Sequence, residues 1–380
     1  MTKTRICFVA DHPKNILGGA ERQNFKIASL MVEKGFDVTM ISQSGGGSPS
    51  EYFDSGVRVR EVTRIREGGP MRDLDLVRLL TEMQKAIKEE NAHVYYQRIG
   101  GVMTGLVGFE CRTMNRPFIF ASASYWDSND NLNGRAKERT PLTWLRMASP
   151  IYRYGLDRTT AIVAETEEIA LQFKKRFPAK DVRQIPPMSI LEPSSPKKND
   201  PPFVLYVSRL VWYRRPLLFL KVARALPEMR FVLAGFGAME ETVRDEAKKI
   251  PNLTYLGPVT PVESADLMRR ASLFLNTSLV EGFPNTLLEA LACRTPYVSV
   301  FDPDDVICRF GLGAHARSFD ELVSSVRILL NDQAEREKIA SDGDAYLRKF
   351  HDPEVIASKY AALFREKTMM DIGSPASQDN

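Results

Sequence analysis

Paired cysteines, long apolar runs and a strong excess of one charge are all missing from this chain of 380 residues. Its four cysteines, Cys7, Cys111, Cys293 and Cys308, stand far apart, whereas disulfide frameworks and zinc motifs need clustered spacings. We interpret them as isolated thiols in a reducing compartment. No stretch approaches the roughly 18 consecutive apolar residues of a membrane-spanning helix, and the N-terminus shows no apolar signal core. These absences predict a cytoplasmic protein.

The charge balance argues against a nucleic-acid partner. The formal net charge is only +4, because 52 basic residues are nearly matched by 48 acidic ones. Nucleic-acid-binding proteins normally concentrate their basic residues on one face. Apolar residues make up 43% of the chain, as in an ordinary soluble globular protein, and the length is sufficient for two domains.

Strand and helix signals alternate along the chain in two separate series. Short β-rich runs such as Arg5–Ala10 and Asp37–Ser42 are separated by helical patterns. Alternation of this kind predicts parallel βαβ units in a doubly wound sheet. Six prolines fall within Pro186–Pro202, a composition typical of a linker, and the alternation restarts at Phe203. The fold class is therefore predicted as α/β, with two facing doubly wound Rossmann-like domains and a ligand cleft between them.

Five segments follow from this pattern. The N-terminal domain is predicted over 1–187, the linker over 188–201 and the C-terminal domain over 202–350. A helix over 351–370 is expected to pack back toward the N-terminal domain. The last ten residues, 371–380, are expected to be disordered, as chain termini often are.

The most informative segment, Glu281–Glu289, has the sequence Glu-Gly-Phe-Pro-Asn-Thr-Leu-Leu-Glu. It follows a predicted strand and opens a helix, whose free N–H groups would bind a phosphate. Two carboxylates beside a diphosphate would repel it, so we assign Glu289 to the hydroxyls of a ribose and Glu281 to a transferred sugar. The alternative is a loop acid and a solvated helix acid. The predicted phosphate-binding turn comprises Phe283, Pro284, Asn285, Thr286 and Leu287, with the proline at the first helical position.

Two arginines form a second candidate phosphate site. Arg209 ends a predicted strand, and Arg214 lies five residues further on, at the start of the next helix. Guanidinium groups hold phosphate oxygens bidentately and keep their charge at any physiological pH. The pair would neutralise a leaving diphosphate without a metal. The alternative for either arginine is that it is simply a solvent-exposed residue at the start of a helix.

Glycines mark two further turns. Gly18 and Gly19 lie between the first strand and the first helix, and Gly235 follows a later strand. Residues without a Cβ atom let the backbone approach a ligand at a helix N-terminus. Neither turn has the Gly-x-Gly-x-x-Gly pattern, so a nicotinamide fingerprint is not met.

Together these segments resemble glycosyltransferase family 4, a set of retaining enzymes with the two-domain GT-B fold. The resemblance covers nearly the whole chain, and its most specific part is the spacing of Glu281 and Glu289. It implies transfer of a sugar from a nucleotide diphosphate sugar, without a metal and with the anomeric configuration kept. By position, Arg209 and Arg214 match the basic pair that holds the diphosphate. Glu281 matches the residue near the donor sugar, Glu289 the ribose contact and Val259 a position beside the nucleobase.

The resemblance also implies the partners. The N-terminal domain becomes the acceptor side and the C-terminal domain the nucleotide-sugar side. The donor would be of the UDP or GDP type, with no cofactor, and the acceptor a saccharide or lipid-linked saccharide in polysaccharide, glycolipid or other glycoconjugate biosynthesis. Two alternatives stay open: a nucleotide-sugar epimerase of the same fold, and a non-catalytic protein that binds nucleotide sugars.

The chain departs from the family pattern in two informative places. Many members carry a histidine at the end of the strand that here ends at Ser122, and we assign the nearby Asp127 to orienting the acceptor. The usual glycine-rich turn after a late C-domain strand is replaced by Phe301–Asp305. Asp302 and Asp304 there have a spacing that binds Mn²⁺ or Mg²⁺ in another transferase fold. The same spacing recurs twice elsewhere in the chain, so we predict no metal site.

The stretch Gly134–Arg158 mixes six basic residues with tryptophan and tyrosine. Such a helix would touch anionic lipid headgroups at the inner face of a membrane and reach a lipid-linked acceptor. The alternative is a helix packed on the sheet with a solvated basic side.

Overall fold

A computed structural model of the protein describes residues 3–15, 18–44, 49–62, 73–129, 142–193, 198 and 201–372. The chain divides into two units, one formed by Met1–Pro187 with Pro353–Asn380 and the other by Met188–Asp352. Each unit contains one doubly wound, largely parallel sheet, which confirms the predicted α/β class. No helix in the described part of the chain has the length and apolar composition that crossing a bilayer requires.

The first unit is built on an eight-stranded sheet with the order β3-β4-β2-β1-β5-β6-β7-β8. All neighbours are parallel except β3, which pairs antiparallel with β4. Strands β5, β6 and β7 are buried along their whole length, as expected where helices cover both faces. The strands are β1 Arg5–Val9, β2 Asp37–Gln43, β3 Glu51–Asp54, β4 Val57–Val62, β5 Val94–Arg98, β6 Phe118–Ala121, β7 Ala161–Ala164 and β8 Val182–Gln184. The helices are Gly19–Glu33, Asp73–Glu90, Val102–Thr113, Tyr125–Ser128, Leu142–Asp157, Glu167–Arg176 and Pro353–Ile372.

The C-terminal helix, Pro353–Ile372, packs within this first unit. The ring of Phe364 lies 5.9 Å from the rings of Phe8 on β1 and Tyr96 on β5, and all three are buried. Near its far end, Lys367 Nζ forms an ion pair with Asp181 at 2.6 Å. The end of the chain therefore supplies core side chains to a sheet whose strands lie in the N-terminal half. Of the predicted disordered tail, 371–380, the first two residues belong to this helix, which is a correction, and 373–380 lie outside the described residues.

The second unit is built on six parallel strands in the order β11-β10-β9-β12-β13-β14. Counted within this unit the order is 3-2-1-4-5-6, the usual Rossmann arrangement, and the direction of winding reverses between β9 and β12. The strands are β9 Phe203–Val207, β10 Arg230–Ala234, β11 Leu253–Tyr255, β12 Leu273–Asn276, β13 Tyr297–Ser299 and β14 Gly313–His315. The α-helices are Pro216–Ala225, Glu240–Ala247, Pro261–Arg270, Asn285–Ala292, Val306–Phe310, Phe319–Asn331 and Gln333–Phe350, with 3₁₀ turns at Trp212–Arg214 and Pro303–Asp305.

This reversal determines where a ligand can bind. In open α/β sheets, ligands bind beyond the carboxyl ends of the strands at the point where the winding changes direction. Here that point lies between the loop after Val207 and the loop after Asn276. These loops contain the arginine pair and the Glu281 segment that the sequence analysis selected.

Candidate active site

The two loops at the winding reversal are joined to each other by hydrogen bonds. The hydroxyl of Thr277 lies 2.9 Å from the carbonyl oxygens of both Arg214 and Arg215. The backbone N–H of Leu279 donates to the carbonyl of Tyr213 at 2.8 Å. The loop after β9 and the loop after β12 therefore form a single surface, although more than 60 residues separate them in the sequence.

Arg214 and Glu281 form an ion pair on this surface, through Nη1 and Oε1. The same Nη1 donates to the hydroxyl of Ser278 at 3.2 Å, and that hydroxyl donates to Asn276 Oδ1 at 2.7 Å. The Glu281 side chain is 7% exposed and that of Arg214 is 21% exposed. Glu281, the predicted sugar-binding residue, and Arg214, a predicted phosphate-binding residue, are therefore in direct contact. An incoming phosphate would compete with Glu281 for Arg214.

Arg209 has a different environment. Its Nη2 donates to the hydroxyl of Tyr213 at 3.0 Å, and the side chain is half-buried. Within the described ranges, no carboxylate lies at ion-pair distance from this guanidinium. Since an arginine has five N–H donors, most of them are available to an anion. Arg209 is therefore the cation in these loops that is best suited to receive a phosphate.

The helix after β12 begins at Asn285, one residue later than predicted. Pro284 precedes it as the capping residue, with φ −65° and ψ 113°, because its backbone is still extended there. The Pro284 side chain makes no capping hydrogen bond, and the N–H of Leu287 donates to the Pro284 carbonyl at 3.0 Å. The first N–H groups of a helix have no partner within the helix, which makes such a start a common anion site. Phe283 and Leu287 are buried in the apolar core and can offer a ligand only backbone groups.

Thr286 is the remaining side chain of the predicted turn, and Glu289 is the predicted ribose contact in the helix that follows. The Thr286 hydroxyl lies 3.1 Å from the hydroxyl of Tyr297 on β13, which orients the first helical turn against the sheet. Glu289 follows Asn285 by four residues and so lies on the same helical face, one turn further in. It is 9% exposed. Its predicted contact with the hydroxyls of a ribose stays a prediction.

Gly235 supports the loop that carries Arg209. Its φ is +144°, and a Cβ atom there would lie 1.9 Å from the carbonyl oxygen of Ser208. The N–H of Leu210 donates to the carbonyl of Phe236 at 2.8 Å. Only glycine allows this close approach of two backbones. Val259, the predicted nucleobase contact, follows β11 and is half-buried at the same carboxyl edge, two strands from β9.

The other predicted residues lie in the first unit. Gly18 precedes the helix Gly19–Glu33 in an extended conformation, and a Cβ atom on it would lie 2.0 Å from Glu21 Oε2. A carboxylate therefore already occupies the start of this helix, which weakens its attraction for a phosphate. A ligand contact at Gly18 or Gly19 stays a prediction.

Asp127 is 1% exposed and holds two loops of the first unit together. Its carboxylate accepts the N–H of Gly100, after β5, at 3.2 Å and that of Ala123, after β6, at 2.8 Å. The Tyr152 hydroxyl donates to its backbone carbonyl at 2.7 Å. These contacts make Asp127 a positioning residue in this structure, and its predicted contact with an acceptor stays a prediction.

Sequence reasoning left out His12, which lies beyond the carboxyl end of β1, beside the winding reversal of the first sheet. Its Nδ1 accepts the N–H of Lys14 at 3.2 Å, and its Nε2 lies 3.5 Å from Asp54 Oδ2. Burial lowers the pKa of His12, although the nearby Asp54 opposes this shift. Its position after the first strand is the signal in the sequence, but a lone histidine there is more often a loop or cap residue than a catalyst.

Two family models match the chain in succession. The model described as Glycosyltransferase Family 4 matches residues 17–188, and the one described as Glycosyl transferases group 1 matches residues 189–345. The chain belongs to glycosyltransferase family 4, and the resemblance stated from the sequence is confirmed.

Two individual relatives share 22% and 27% sequence identity with this chain. One subunit of human phosphatidylinositol N-acetylglucosaminyltransferase is 22% identical over 309 residues, which cover 77% of this chain and 61% of the human protein. The Campylobacter jejuni N,N'-diacetylbacillosaminyl-diphospho-undecaprenol alpha-1,3-N-acetylgalactosaminyltransferase is 27% identical over 177 residues, 43% of this chain and 44% of that protein. The chain thus spans less than two thirds of either relative.

Among solved structures, the sucrose-phosphate synthase of Thermosynechococcus elongatus superposes with a TM-score of 0.78. The alignment covers 97% of this chain and 100% of that one, at 15% sequence identity. At this identity the likeness concerns the fold alone. Together with the family match it confirms the predicted GT-B fold.

Proposed function

We propose that the protein is a retaining, metal-independent transferase that moves a hexosyl group from a UDP- or GDP-type sugar to an acceptor hydroxyl. The observation that carries the proposal is the junction of the loops after β9 and β12. In these loops Arg214 is paired with Glu281, Arg209 donates to the hydroxyl of Tyr213, and a helix begins at Asn285, four residues after Glu281. Two guanidiniums and a helix N-terminus suit a diphosphate, and an acid beside them suits sugar hydroxyls.

The reaction follows from this arrangement. The bond between the anomeric carbon and the phosphate oxygen breaks with oxocarbenium-like character, and negative charge develops on the leaving diphosphate. Arg209 and the N–H groups at Asn285 are preorganised to stabilise that charge. The acceptor oxygen bonds to the anomeric carbon on the same face. Its proton passes to the departing phosphate, so configuration and charge are both conserved.

The Arg214–Glu281 pair gives the donor a role in assembling the site. Without a ligand, each charge satisfies the other. A diphosphate that binds Arg214 releases the Glu281 carboxylate, which can then accept hydroxyl donors of the sugar. The Glu281 carboxylate therefore becomes available when the donor is bound. A free nucleoside diphosphate lacks the hydroxyls of the transferred sugar, so it cannot make this contact and is distinguished from the intact nucleotide sugar.

A lipid-linked acceptor is the version of this function that we favour. The human and Campylobacter relatives are both named for acceptors that carry a lipid. The helix Leu142–Asp157 exposes Met147 and Arg153, and the guanidinium of Arg158 stacks 3.8 Å from the ring of Tyr154. Apolar and basic side chains on one helix suit the cytoplasmic surface of an anionic membrane. Residues 134–141 of the predicted membrane contact lie outside the described residues.

A panel of UDP-, GDP- and ADP-sugars tests the proposal in two stages. The true donor should raise the melting temperature, because a ligand at about 100 times its Kd adds roughly 2.7 kcal/mol of stability. Products are then analysed with and without a lipid-linked saccharide. Sugar transfer that requires the acceptor and keeps the anomeric configuration supports the proposal. Epimerised donor formed without acceptor, or binding without any product, contradicts it in favour of the epimerase or the non-catalytic protein.

A further inference from the structure

Three side chains of different chemistry converge beyond β13 and β14 in the second unit. Asp302 lies in the loop after β13, Cys308 in the helix Val306–Phe310 and His315 at the end of β14. One ligand atom from each lies within 4.8 Å of the other two. The cluster is on the same carboxyl edge as the donor loops but involves strands further along the sheet, and no step of the proposed transfer uses it.

The surrounding contacts fix two members of the cluster. The carboxylate of Asp302 accepts the backbone N–H of Ile307 at 2.8 Å and that of Cys308 at 3.1 Å, which orients it over the helix. His315 is held opposite Ser299 by the pairing of β13 with β14. Its Nδ1 is buried and has no hydrogen-bond partner among the described residues. A buried polar atom in this position costs free energy unless a ligand satisfies it.

We propose that Asp302, Cys308 and His315 bind one Zn²⁺ ion, with water in the fourth position. A thiolate, an imidazole and a carboxylate are the ligands that zinc takes in proteins, and a thiolate disfavours Mg²⁺ and Ca²⁺. Zinc lies about 2.0 Å from nitrogen and 2.3 Å from sulfur, so the three ligand atoms must draw closer than 4.8 Å. Cys308 is exposed and can turn to do so. Binding breaks the S–H bond, releases the proton to solvent and forms the sulfur–zinc bond.

The ion would stabilise this part of the fold and would take no part in the transfer chemistry. The turn between Asp302 and the helix contains Asp304 and Asp305, both with positive φ, at 51° and 56°. Backbone strain of this kind persists only where neighbouring contacts hold it. A zinc ion would tie this strained turn to β14. The site differs from the Asp302–Asp304 pair weighed in the sequence analysis, because Asp304 is not part of the cluster.

The test uses the full chain after removal of metals with EDTA. Zn²⁺ binding is measured by calorimetry, and Co²⁺ binding by its thiolate charge-transfer absorption. We expect one ion per chain and a cobalt–thiolate band. Cys308→Ser should abolish the band. Cys308→Ser and His315→Gln should each weaken Zn²⁺ binding by at least about 10- to 100-fold, because even the loss of a residue that only hydrogen-bonds to a metal ligand typically has an effect of this size. The matched control, Asp304→Asn, should bind normally.

Two results would overturn the inference. One is a wild-type chain that takes up no Zn²⁺ and shows no cobalt–thiolate band, a measurement that needs no variant to fold. The other is binding that is unchanged in both Cys308→Ser and His315→Gln, since the ion would then lie elsewhere. Donor binding and sugar transfer are measured in parallel. Because the proposed transfer uses neither residue, failure of the zinc site leaves the transferase proposal intact.

Discussion

Glu281→Gln should lower kcat for sugar transfer by about 10²- to 10³-fold, the loss typical of removing one group that stabilises a transition state. The KM for the donor should stay constant or fall. The amide keeps the shape of the side chain but no longer neutralises Arg214, so the guanidinium is released to bind the diphosphate. Initial rates over a range of donor concentrations separate these two effects.

A matched control distinguishes this effect from a general loss of charge. Glu241 is an exposed acid on the helix after β10, so Glu241→Gln should leave kcat and KM unchanged. Thermal unfolding checks the fold, because breaking a partly buried ion pair also costs stability. A folded Glu281→Gln protein with normal kcat would remove Glu281 from the mechanism. A large rise in KM with normal kcat would mean that the acid serves only in binding.

Removal of residues 353–380 should prevent the first unit from folding. The side chains that this deletion takes out of the core include four large ones that are buried completely or nearly so: Ile356, Tyr360, Leu363 and Phe364. Each such side chain contributes about 1.5–3 kcal/mol by its burial. The total is comparable to the roughly 5–15 kcal/mol that stabilises a whole domain. Circular dichroism and limited proteolysis of residues 1–352 would show the loss of structure.

Three further variants make this prediction specific. Deletion of only residues 373–380 should leave the melting temperature unchanged. In the full chain, Phe364→Ala should cost about 3–5 kcal/mol, because it removes a ring packed against Phe8 and Tyr96. Lys359→Ala, on the exposed face of the same helix, should cost little. If residues 1–352 melt like the full chain, the helix is not part of the first core.

The sequence was sufficient to predict the two doubly wound sheets, and it selected the two segments that lie in the loops after β9 and β12. Both predictions depend on local signals, namely the alternation of strand-like and helix-like hydrophobic patterns and a proline next to the start of a helix. The helix start itself was predicted one residue too early. Proline fixes φ but leaves ψ free, and here ψ is 113°, so the residue stays outside the helix.

The contacts that could not be predicted from the sequence depend on the order of the strands in each sheet. Arg214 meets Glu281 because β9 and β12 are neighbours, and no local pattern encodes that pairing. Likewise, Cys308 seemed isolated in the sequence until the pairing of β13 with β14 placed His315 beside it. Contacts of this kind follow from register across a sheet, which residue spacing along the chain does not determine.

The central claim is that Arg209 binds the donor diphosphate beside the start of the helix at Asn285. Calorimetry with the nucleoside diphosphate of the preferred donor, and with its monophosphate, tests it directly. A charge-assisted hydrogen bond of about 1.5–3 kcal/mol predicts a diphosphate preference of roughly 10- to 100-fold in the wild type. Arg209→Ala should largely remove this preference, whereas Arg215→Asn, at the neighbouring exposed arginine, should keep it. An equal preference in the wild type and in Arg209→Ala would contradict the account.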